Sequence, residues 1–313
     1  MYNQKIKPML AYSGKKDDLK KKEFYFEPKI DGTRALLYKY KNNIQILNRR
    51  QNWIGFRYPE IIADAKKLKG DFILDGEICV LNEKGLPDFS KLQSREQITN
   101  FLKIKFLAKS FPVTYYVFDI LFLNEKDLTH LPLFKRKKIL EKVVKDSKCI
   151  KKILFNKNGI ILWRSVKNIG LEGVMAKKID SKYEIGRRSE NWLKIKNVKT
   201  TDCIICGWST GKREFASLIL GQYKDSNLIY VGNVGTGFDK SLLKTIYSKI
   251  RKLKIKNCPF KEIPKIKGKV FWMKPELIVE VKYLEYTKRH HLRVPSFVRF
   301  RYDKTPKECI LEL

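Results

Sequence analysis

Short apolar runs separated by turn residues dominate the sequence from Phe24 to Lys196. Turn signals rich in Asn, Gly and Asp occupy residues 41–43, 82–85 and 124–127. Because runs of this length alternate with tight turns, the pattern predicts hairpins and antiparallel sheet. A helix is predicted from about Leu133 to Val144, where apolar residues form one stripe and lysines form the other face, which we interpret as solvated.

After Lys199 the pattern changes to a meander of strands. The strand-like segments are Cys203–Trp208, Ser217–Tyr223, Leu228–Val234 and Leu277–Leu284, and the apolar stripe Leu242–Leu253 predicts one helix among them. About five strands with one helix are typical of a small β-barrel such as the OB-fold, a common nucleic-acid platform. Since 313 residues exceed what one hydrophobic core usually supports, we predict an α+β fold with two domains, residues 1–199 and residues 200–313.

The composition is that of a folded protein with a polyanionic partner. Hydrophobic residues make up 43% and aromatic residues 12%, which excludes disorder as the reason for the many lysines. A formal net charge of +34 favours nucleic acid as the partner, although a lysine-rich composition with merely solvated faces is the alternative. The sequence lacks an apolar stretch of ~18 residues and an N-terminal signal segment, so we expect a cytoplasmic protein that is not bound to membranes.

The six cysteines are scattered along the chain, which is not how a disulfide framework is laid out. Cys203 and Cys206 form a C-x-x-C pair. No second pair or nearby histidine completes four zinc ligands, so we predict that these two residues are buried, small and apolar in character.

The segment Glu27–Arg34, with the sequence EPKIDGTR, is the densest chemical signal. An amine attacks phosphorus only when it is deprotonated, and neighbouring cations such as Arg34 favour the neutral form, so Lys29 could act as a nucleophile. Gly32 would let the backbone approach a phosphate or sugar. By itself K-x-D-G-x-R is also an ordinary charged end of a strand.

Other short motifs in the sequence also have the composition of a nucleotide-binding site. Asp75–Glu77 and Glu172–Lys177 each place a carboxylate beside a glycine on an apolar strand, and two such carboxylates can hold a divalent ion. Tyr116–Asp119 offers an aromatic ring that could stack on a base. Trp192–Lys196 places two lysines on one face of a strand, with the spacing of two that a polyphosphate clamp requires.

These motifs, in this order, resemble the covalent nucleotidyltransferase superfamily and, within it, the ATP-dependent DNA ligases. The resemblance covers nearly the whole chain and rests on EPKIDGTRA, NRR (residues 48–50), DGE, FDI, EGVMAK, WLKIK and SFVRFRYDK (residues 296–304). The stretch of residues 218–238 looks most like the ligase module of bacterial end-joining ligases. The resemblance implies an ATP-grasp-like nucleotidyltransferase domain of antiparallel sheets followed by a C-terminal OB-fold.

The resemblance also implies roles for individual residues around a nucleotide. Lys29 would be the catalytic residue that accepts AMP. Glu27 would contact the amino group of adenine, and Phe118 would stack on the adenine ring. Arg34 and Arg49 would contact the ribose or a 5′-phosphate.

Other matched residues would handle phosphates and a metal. Glu77 and Glu172 would hold the ribose and a catalytic Mg²⁺ or Mn²⁺, while Lys194 and Lys196 would grip the α-phosphate. Lys177 belongs to the same motif as Glu172 and is included among the nucleotide-binding residues. The residues that would orient the departing pyrophosphate are Arg301, Asp303 and Lys304.

The implied activity is the sealing of breaks in duplex DNA with ATP as cofactor. Lys29 would take AMP from ATP and pass it to a DNA 5′-phosphate, and a 3′-hydroxyl would then displace AMP. Only 28 residues precede Lys29, so we expect ATP rather than NAD and a DNA grip formed by the two catalytic domains. We also expect a monomer that is associated with the nucleoid and works with end-joining or repair proteins.

The sequence departs from the family pattern beside Arg49, because Asn48 stands where Ser or Thr is usual and Gln51 lies near a position that is often Gly. Three alternatives share part of the pattern: an RNA ligase, an mRNA-capping guanylyltransferase, and a catalytically silent DNA-binding scaffold. Glu27 and the SFVRFRYDK ending favour a DNA ligase over the first two. An intact set of Lys29, Glu172 and Lys194 argues against the third.

Overall fold

The computed structural model describes residues 4–211, 214–287 and 289–311. The chain divides into two compact units, Met1–Asn197 and Val198–Leu313. This division lies two residues before the domain boundary expected from the sequence. Within the described ranges, no helix is both long enough and apolar enough to cross a membrane.

The first unit mixes short strands with short helices. Its described strands are β1 (Leu10–Ser13), β2 (Phe24–Pro28), β3 (Thr33–Tyr40), β4 (Asn43–Asn48), β5 (Phe72–Val80), β6 (Val113–Leu123), β7 (Lys126–Asp127), β8 (Ile150–Lys152), β9 (Gly173–Lys178) and β10 (Arg188–Lys196). Its described helices are α1 (Pro59–Lys67), α2 (Phe89–Glu96), α3 (Phe101–Ser110), α4 (Leu133–Val143) and α5 (Gly159–Asn168). The helix predicted from the Leu133 stripe is therefore confirmed and ends one residue early.

The described strands of this unit form two sheets. One has the order β1-β10-β9-β2, and the other has the order β4-β3-β5-β6-β7 with β8 added beside β6. Most pairs are antiparallel as predicted, but β1 runs parallel to β10 and β8 runs parallel to β6. Helix α4 lies between β6 and β8 in the sequence and supplies the crossover that a parallel pair needs. The prediction of antiparallel pairing is wrong at these two places.

A hydrophobic cluster joins the two sheets. Its members include Leu36 of β3 and Ile73 of β5 together with Trp192 of β10, Met9 and Tyr183. All five side chains are buried. The two sheets therefore share one core, and residues from both can line the same cavity.

The lysine-rich face of α4 is not uniformly solvated, and for Lys137 that interpretation is wrong. Arg136 is fully buried and donates to both carboxylate oxygens of Asp119, at 2.8 and 2.9 Å. Lys137 is also buried and donates to Glu27. Lys135 and Lys138 are exposed. Burial of these charges is tolerated because each has an ionic partner.

The second unit is mostly strand. Its described strands are β11 (Lys199–Ser209), β12 (Ser217–Lys224), β13 (Asn227–Val234), β14 (Lys254–Ile255), β15 (Val270–Met273), β16 (Ile278–Tyr283) and β17 (Ser296–Phe300), and its described helix is α6 (Lys240–Lys252). The strand order is β13-β12-β11-β15-β14, with β16 paired to β11 and β17 to β16. The α+β class is confirmed, and β14, β15 and β17 add to the predicted strands. That this unit is an OB-fold barrel stays a prediction.

The cysteines of the second unit behave as core residues. Cys203 and Cys206 on β11 are both fully buried as free thiols. Burial raises the pKa of both thiols well above the usual value, so they stay protonated and unreactive. Within the described ranges, no group of three or more His, Cys, Asp or Glu side chains could hold a metal ion.

Candidate active site

The first unit contains a cavity of about 870 Å³, a size that suits a nucleotide. Its walls include residues of β1, β2, β3, β5, β6, β9, β10 and α2 and the turn after β4, so motifs distant in the sequence meet there. The motif residues that line it are Glu27, Lys29, Arg34, Arg49, Glu77, Phe118, Lys177 and Lys194.

Lys29 directly follows β2 and is held by the start of β9. Its backbone N–H donates to the carbonyl of Gly173 at 2.8 Å, and its Nζ donates to the Glu172 carboxylate. The other oxygen of Glu172 lies 3.2 Å from Lys196 Nζ. Glu172 thus joins two motif lysines, and Lys29 keeps 21% of its side chain exposed on the cavity side.

Two glycines allow this close packing. A Cβ at Gly32 would lie 2.1 Å from the carbonyl oxygen of Ile78 on β5. Gly173 adopts a φ of 151°, and a Cβ there would lie 2.1 Å from the carbonyl oxygen of Ile195. The sequence suggested that Gly32 makes room for a ligand, whereas the structure gives a nearer reason, the close approach of another strand.

Glu27 is buried between two lysines. Its Oε1 accepts from Lys137 of α4, and its Oε2 lies 2.6 Å from Lys177 of β9. All three side chains are almost fully buried. Burial lowers the pKa of Lys177 to about 8, and the nearby Lys137 also acts in that direction, while Glu27 opposes the shift.

The ammonium of Lys177 lies against two aromatic rings. Its Nζ is 3.8 Å from the ring centre of Phe118 and 4.2 Å from that of Trp192. The guanidinium of Arg34 lies 5.3 Å from each of the same two ring centres. Cation–π contacts of this kind fix the orientation of the rings. Phe118, the residue expected to stack on adenine, is therefore held in place by charged neighbours.

Arg34 is committed to protein contacts. It donates from Nε and Nη2 to the two oxygens of Asp75 at 3.0 and 2.6 Å, and from Nη1 to the carbonyl of Met9 at 2.6 Å. Tyr183 also donates to Asp75, at 2.6 Å. Burial disfavours the charge, but Asp75 more than offsets this and raises the pKa of Arg34 above its usual value. Arg34 lines the cavity as one half of a buried ion pair.

Glu77 lies on β5 directly opposite Arg34 of β3. Burial raises the pKa of Glu77 to about 8; Lys29 and Arg34 oppose the shift, while the charges of Asp75 and Glu172 add to it. A cation bound beside such a protonated carboxyl group would favour its ionised form. Glu77 and Glu172 are therefore the residues with which a divalent ion could interact.

Positive charge collects near Lys29. Burial lowers the pKa of Lys194 on β10, and Arg188, Lys196, Lys29 and Arg49 add to that effect. Neighbouring positive charges that repel one another in this way are stabilised when an anion binds between them. This part of the cavity could therefore hold phosphate groups, and the phosphate-binding role of Lys194 and Lys196 stays a prediction.

The turn that presents Arg49 accounts for Asn48 and shows why glycine is usual near Gln51. Asn48 Oδ1 accepts from the backbone N–H groups of Arg50 and Asn52, at 2.9 and 3.0 Å. An Asn side chain can close such a turn in the way that a hydroxyl side chain does. Gln51 has a φ of 65°, a conformation that favours glycine. Arg49 itself is exposed and lines the cavity.

The three motif residues of the second unit form a cluster of their own around Asp202. Arg301 donates to both oxygens of Asp202 at 3.0 Å and to both oxygens of Asp303 at 2.8 Å. Lys304 donates to Asp202 at 2.6 Å. Their charges are therefore paired within this unit.

Sequence reasoning missed Lys137, Asp202 and the role of Trp192. Lys137 looked like one of several equivalent lysines on α4, and nothing local distinguishes it. Asp202 was assigned to a strand without a role, and only the fold brings it to Arg301. Trp192 stood inside a recognised motif, and an aromatic residue next to lysines was a usable signal for a cation–π contact.

Two family models match the chain. The model for the ATP dependent DNA ligase domain matches residues 8–196, and the model for the ATP dependent DNA ligase C terminal region matches residues 211–304. Together they cover both compact units.

Relatives and solved structures agree with these models. The multifunctional non-homologous end joining protein LigD of Mycolicibacterium smegmatis is 35% identical over 97% of this chain and 39% of that protein. The ligase domain of LigD from Mycobacterium tuberculosis matches at 30% identity with a TM-score of 0.55 and 98% coverage of each chain. Mycobacterial DNA ligase D complexed with ATP and MES matches at 29% identity with a TM-score of 0.56, again with 98% coverage of each chain.

The chain spans 39–40% of the length of the LigD proteins that it matches. The resemblance inferred from the motifs, including the likeness to the ligase module of end-joining ligases, is confirmed. The chain belongs to the ATP-dependent DNA ligase family.

Proposed function

We propose that this chain seals 5′-phosphate/3′-hydroxyl breaks in duplex DNA with ATP, through a covalent lysyl-AMP and a DNA-adenylate. The observation that carries the proposal is the position of Lys29, a partly exposed lysine on the wall of a nucleotide-sized cavity. Cationic side chains suited to phosphate lie beside it, and its Nζ is oriented by Glu172.

In the first step the Nζ of Lys29 attacks the α-phosphorus of ATP. The nitrogen–phosphorus bond forms as the bond to pyrophosphate breaks, and the amine loses a proton. Lys194 and Lys196 stabilise the charge that develops on the phosphoryl oxygens. Arg301, Asp303 and Lys304 assist the departure of pyrophosphate, the role that their sequence motif implies.

In the second step a DNA 5′-phosphate oxygen attacks the phosphorus of the lysyl-AMP, and the nitrogen–phosphorus bond breaks. In the third step a 3′-hydroxyl attacks the activated 5′-phosphate, forms the phosphodiester bond and releases AMP. Arg49, exposed at the cavity, is the residue proposed to hold the 5′-phosphate. Each step is a phosphoryl transfer in which positioning and charge stabilisation supply most of the acceleration.

A divalent cation, Mg²⁺ or Mn²⁺, fits the residues present. Mg²⁺ is commonly bound by one or two carboxylates together with substrate phosphates, and Glu77 and Glu172 supply two carboxylates beside a phosphate-binding wall. The raised pKa of Glu77 supports this, because burial and, to a smaller extent, the charges of Asp75 and Glu172 disfavour its ionised form, which a bound cation would stabilise. When bound, the ion would neutralise charge on the phosphates. Glu77 and Glu172 would hold it.

Glu27 and Phe118 are proposed to recognise the base. A carboxylate can only accept hydrogen bonds, so Glu27 would accept from the amino group of adenine. Phe118, oriented by Lys177 and Arg34, offers a ring for stacking.

Nicked or broken duplex DNA is the proposed substrate, and the net charge of +34 supports a polyanionic partner. The relatives are multifunctional end-joining proteins, so we propose that the chain acts with end-joining or repair proteins at chromosomal DNA. We propose that the catalytic form is a monomer.

The proposal is tested by incubating the protein with α-labelled ATP and looking for AMP that stays on the denatured protein through a phosphoramidate bond, which is released by acid and stable to alkali. Nicked duplexes with DNA or RNA on each side of the nick, and labelled GTP in parallel, separate a DNA ligase from an RNA ligase and from a guanylyltransferase. Absence of label on the protein would overturn the enzymatic function and leave the silent DNA-binding scaffold.

A further inference from the structure

Lys137 is a buried cation whose ionic contact leads into the cavity, although it does not line the cavity itself. It lies on α4, 110 positions from Glu27 in the sequence, and donates to Glu27 Oε1. Its side chain is 6% exposed, and that of Glu27 is 2% exposed. Burying an ion pair this fully costs desolvation free energy unless both charges are compensated by partners. The buried pair of Lys137 and Glu27 therefore needs a structural or functional explanation.

Each carboxylate oxygen of Glu27 is contacted by a different lysine. Lys137 takes Oε1, and Lys177 takes Oε2 at 2.6 Å. Lys177 also lies against the rings of Phe118 and Trp192, whereas Lys137 reaches Glu27 from helix α4 and lies 5.1 Å from the ring centre of Phe155. With a cation at each oxygen, the carboxylate is fixed in orientation and kept as an acceptor of hydrogen bonds.

An oriented, ionised carboxylate discriminates between purines. Adenine presents an amino group at carbon 6, which donates to a carboxylate, whereas guanine presents a carbonyl oxygen there, which repels it. A site built around a buried polar group rejects an analogue that leaves that group unpaired far more strongly than an apolar pocket could.

We infer that Lys137 is a positioning residue for nucleobase selection: it holds Glu27 in the orientation in which the site accepts adenine and rejects guanine. This inference rests on the proposed function and deepens it, because it assigns the source of nucleotide specificity to a residue outside the cavity. Lys137 does not touch the nucleotide and acts through Glu27 alone.

The experiment compares Lys137→Met with Lys137→Arg and with Lys135→Met, a matched control on the exposed face of the same helix. Self-adenylation kinetics are measured with ATP, with GTP and with purine riboside triphosphate, which has hydrogen in place of the amino group. Lys137→Met is expected to raise KM for ATP roughly 10- to 100-fold, the effect of losing a hydrogen bond to a charged group, with a smaller change in kcat. The preference for ATP over GTP falls by a similar factor.

Three comparisons separate positioning from general destabilisation. KM for purine riboside triphosphate is expected to be the same in wild type and in Lys137→Met, since that nucleotide has no amino group for Glu27. Lys137→Arg is expected to restore part of the ATP preference. In a Glu27→Gln background, Lys137→Met is expected to add little, because the two residues act as one unit.

An equal rise in KM for all three nucleotides, or a full additive effect in the Glu27→Gln background, would overturn the inference. The inference would also be overturned if Lys137→Met kept the same preference for ATP over GTP as the control variant Lys135→Met. A wild-type protein that takes no label from any nucleotide would instead refute the proposed function itself, so the two failures are distinguishable. If Lys137→Met does not fold, the neutral variant Lys137→Gln replaces it, and an ATP-to-GTP preference in that variant equal to the wild-type preference counts against the inference.

Discussion

Lys29 and Glu172 lie 143 positions apart in the sequence and form an ion pair at the wall of the cavity. The same carboxylate holds Lys196 at 3.2 Å, so one acidic residue orients the proposed nucleophile and one of the proposed phosphate ligands. Because an amine attacks phosphorus only without its proton, this ion pair has to separate or lose a proton before lysyl-AMP can form.

Replacement of Lys29 by either Ala or Arg is expected to abolish covalent AMP. Neither residue offers a neutral amine at the α-phosphorus, and the guanidinium of arginine does not lose its proton in proteins. The measurement is transfer of label from α-labelled ATP, with the modified residue located by mass spectrometry. Lys22→Arg, an exposed change in the same part of the chain, is the control and should label normally. Adenylate found on another residue of the wild type would refute the assignment.

Glu77 is expected to make metal dependence sensitive to pH. Its folded-state pKa of about 8 lies above the ordinary value of 4.5, so between these values the folded state holds a proton that the unfolded state has lost. Stability therefore falls as pH rises through this window, and a divalent ion competes with the proton. The Mg²⁺ concentration needed for half-maximal adenylation should drop as pH rises toward 8. In Glu77→Gln this pH dependence should disappear, and an unchanged profile would exclude Glu77 as the titrating group.

Asp119→Ala is expected to destabilise the first unit by about 3–5 kcal/mol, because it leaves Arg136 buried without its partner. The pair is fully buried on both sides, with contacts of 2.8 and 2.9 Å. Asp17→Ala removes an exposed partner of Lys20 and should cost no more than ~1 kcal/mol. Denaturant unfolding of both variants gives the comparison. Similar costs for the two would mean that Arg136 finds another partner or water.

Arg301→Ala and Lys304→Ala are expected to slow self-adenylation by about 2–4 kcal/mol in activation free energy, the typical cost of a lost transition-state charge contact. Sealing of a nick that already carries 5′-AMP should suffer much less, since pyrophosphate has left by then. Arg299→Ala, an exposed change near the end of β17 and two positions before Arg301, is the control. Both rates are measured in each variant. Equal losses in the two assays would assign the residues to stability or DNA binding, because each is paired with Asp202.

Affinity for nicked DNA is expected to fall log-linearly and steeply with salt, while different sequences bind alike. Each phosphate neutralised by a lysine or arginine contributes a slope of about −0.9 in the logarithm of the binding constant. Titrations at several salt concentrations with two unrelated duplexes of equal length give both quantities. A flat salt response would point to a different mode of binding.

The sequence predicted those site residues whose motifs are contiguous. Lys29, Glu77 and Lys194 each stand in a short run with a recognisable composition, and all three meet at one cavity. Strand texture and helical periodicity were also sufficient for α4 and for the strands that begin the second unit, because these signals are local. The roles of the residues stay predictions until they are tested.

What escaped prediction depends on packing between distant segments. Lys135, Lys137 and Lys138 are equivalent in sequence, and only the packing of α4 in the folded unit, which brings Lys137 to Glu27 of β2, decides that Lys137 is buried. The parallel pairing of β1 with β10 likewise joins strands at opposite ends of the first unit, a contact that no local pattern encodes.

The two rings and two cations described above belong to different sheets. Phe118 and Arg34 stand on β6 and β3 of one sheet, while Trp192 and Lys177 stand on β10 and β9 of the other. The cavity therefore lies at the boundary between the two sheets and not within either sheet. Its width depends on how the sheets pack, so a substitution in the cluster that joins them, such as at Leu36 or Ile73, will alter the fit of a nucleotide. In this unit, the effect of a substitution on nucleotide binding should depend more on its distance from the boundary between the two sheets than on its distance from Lys29.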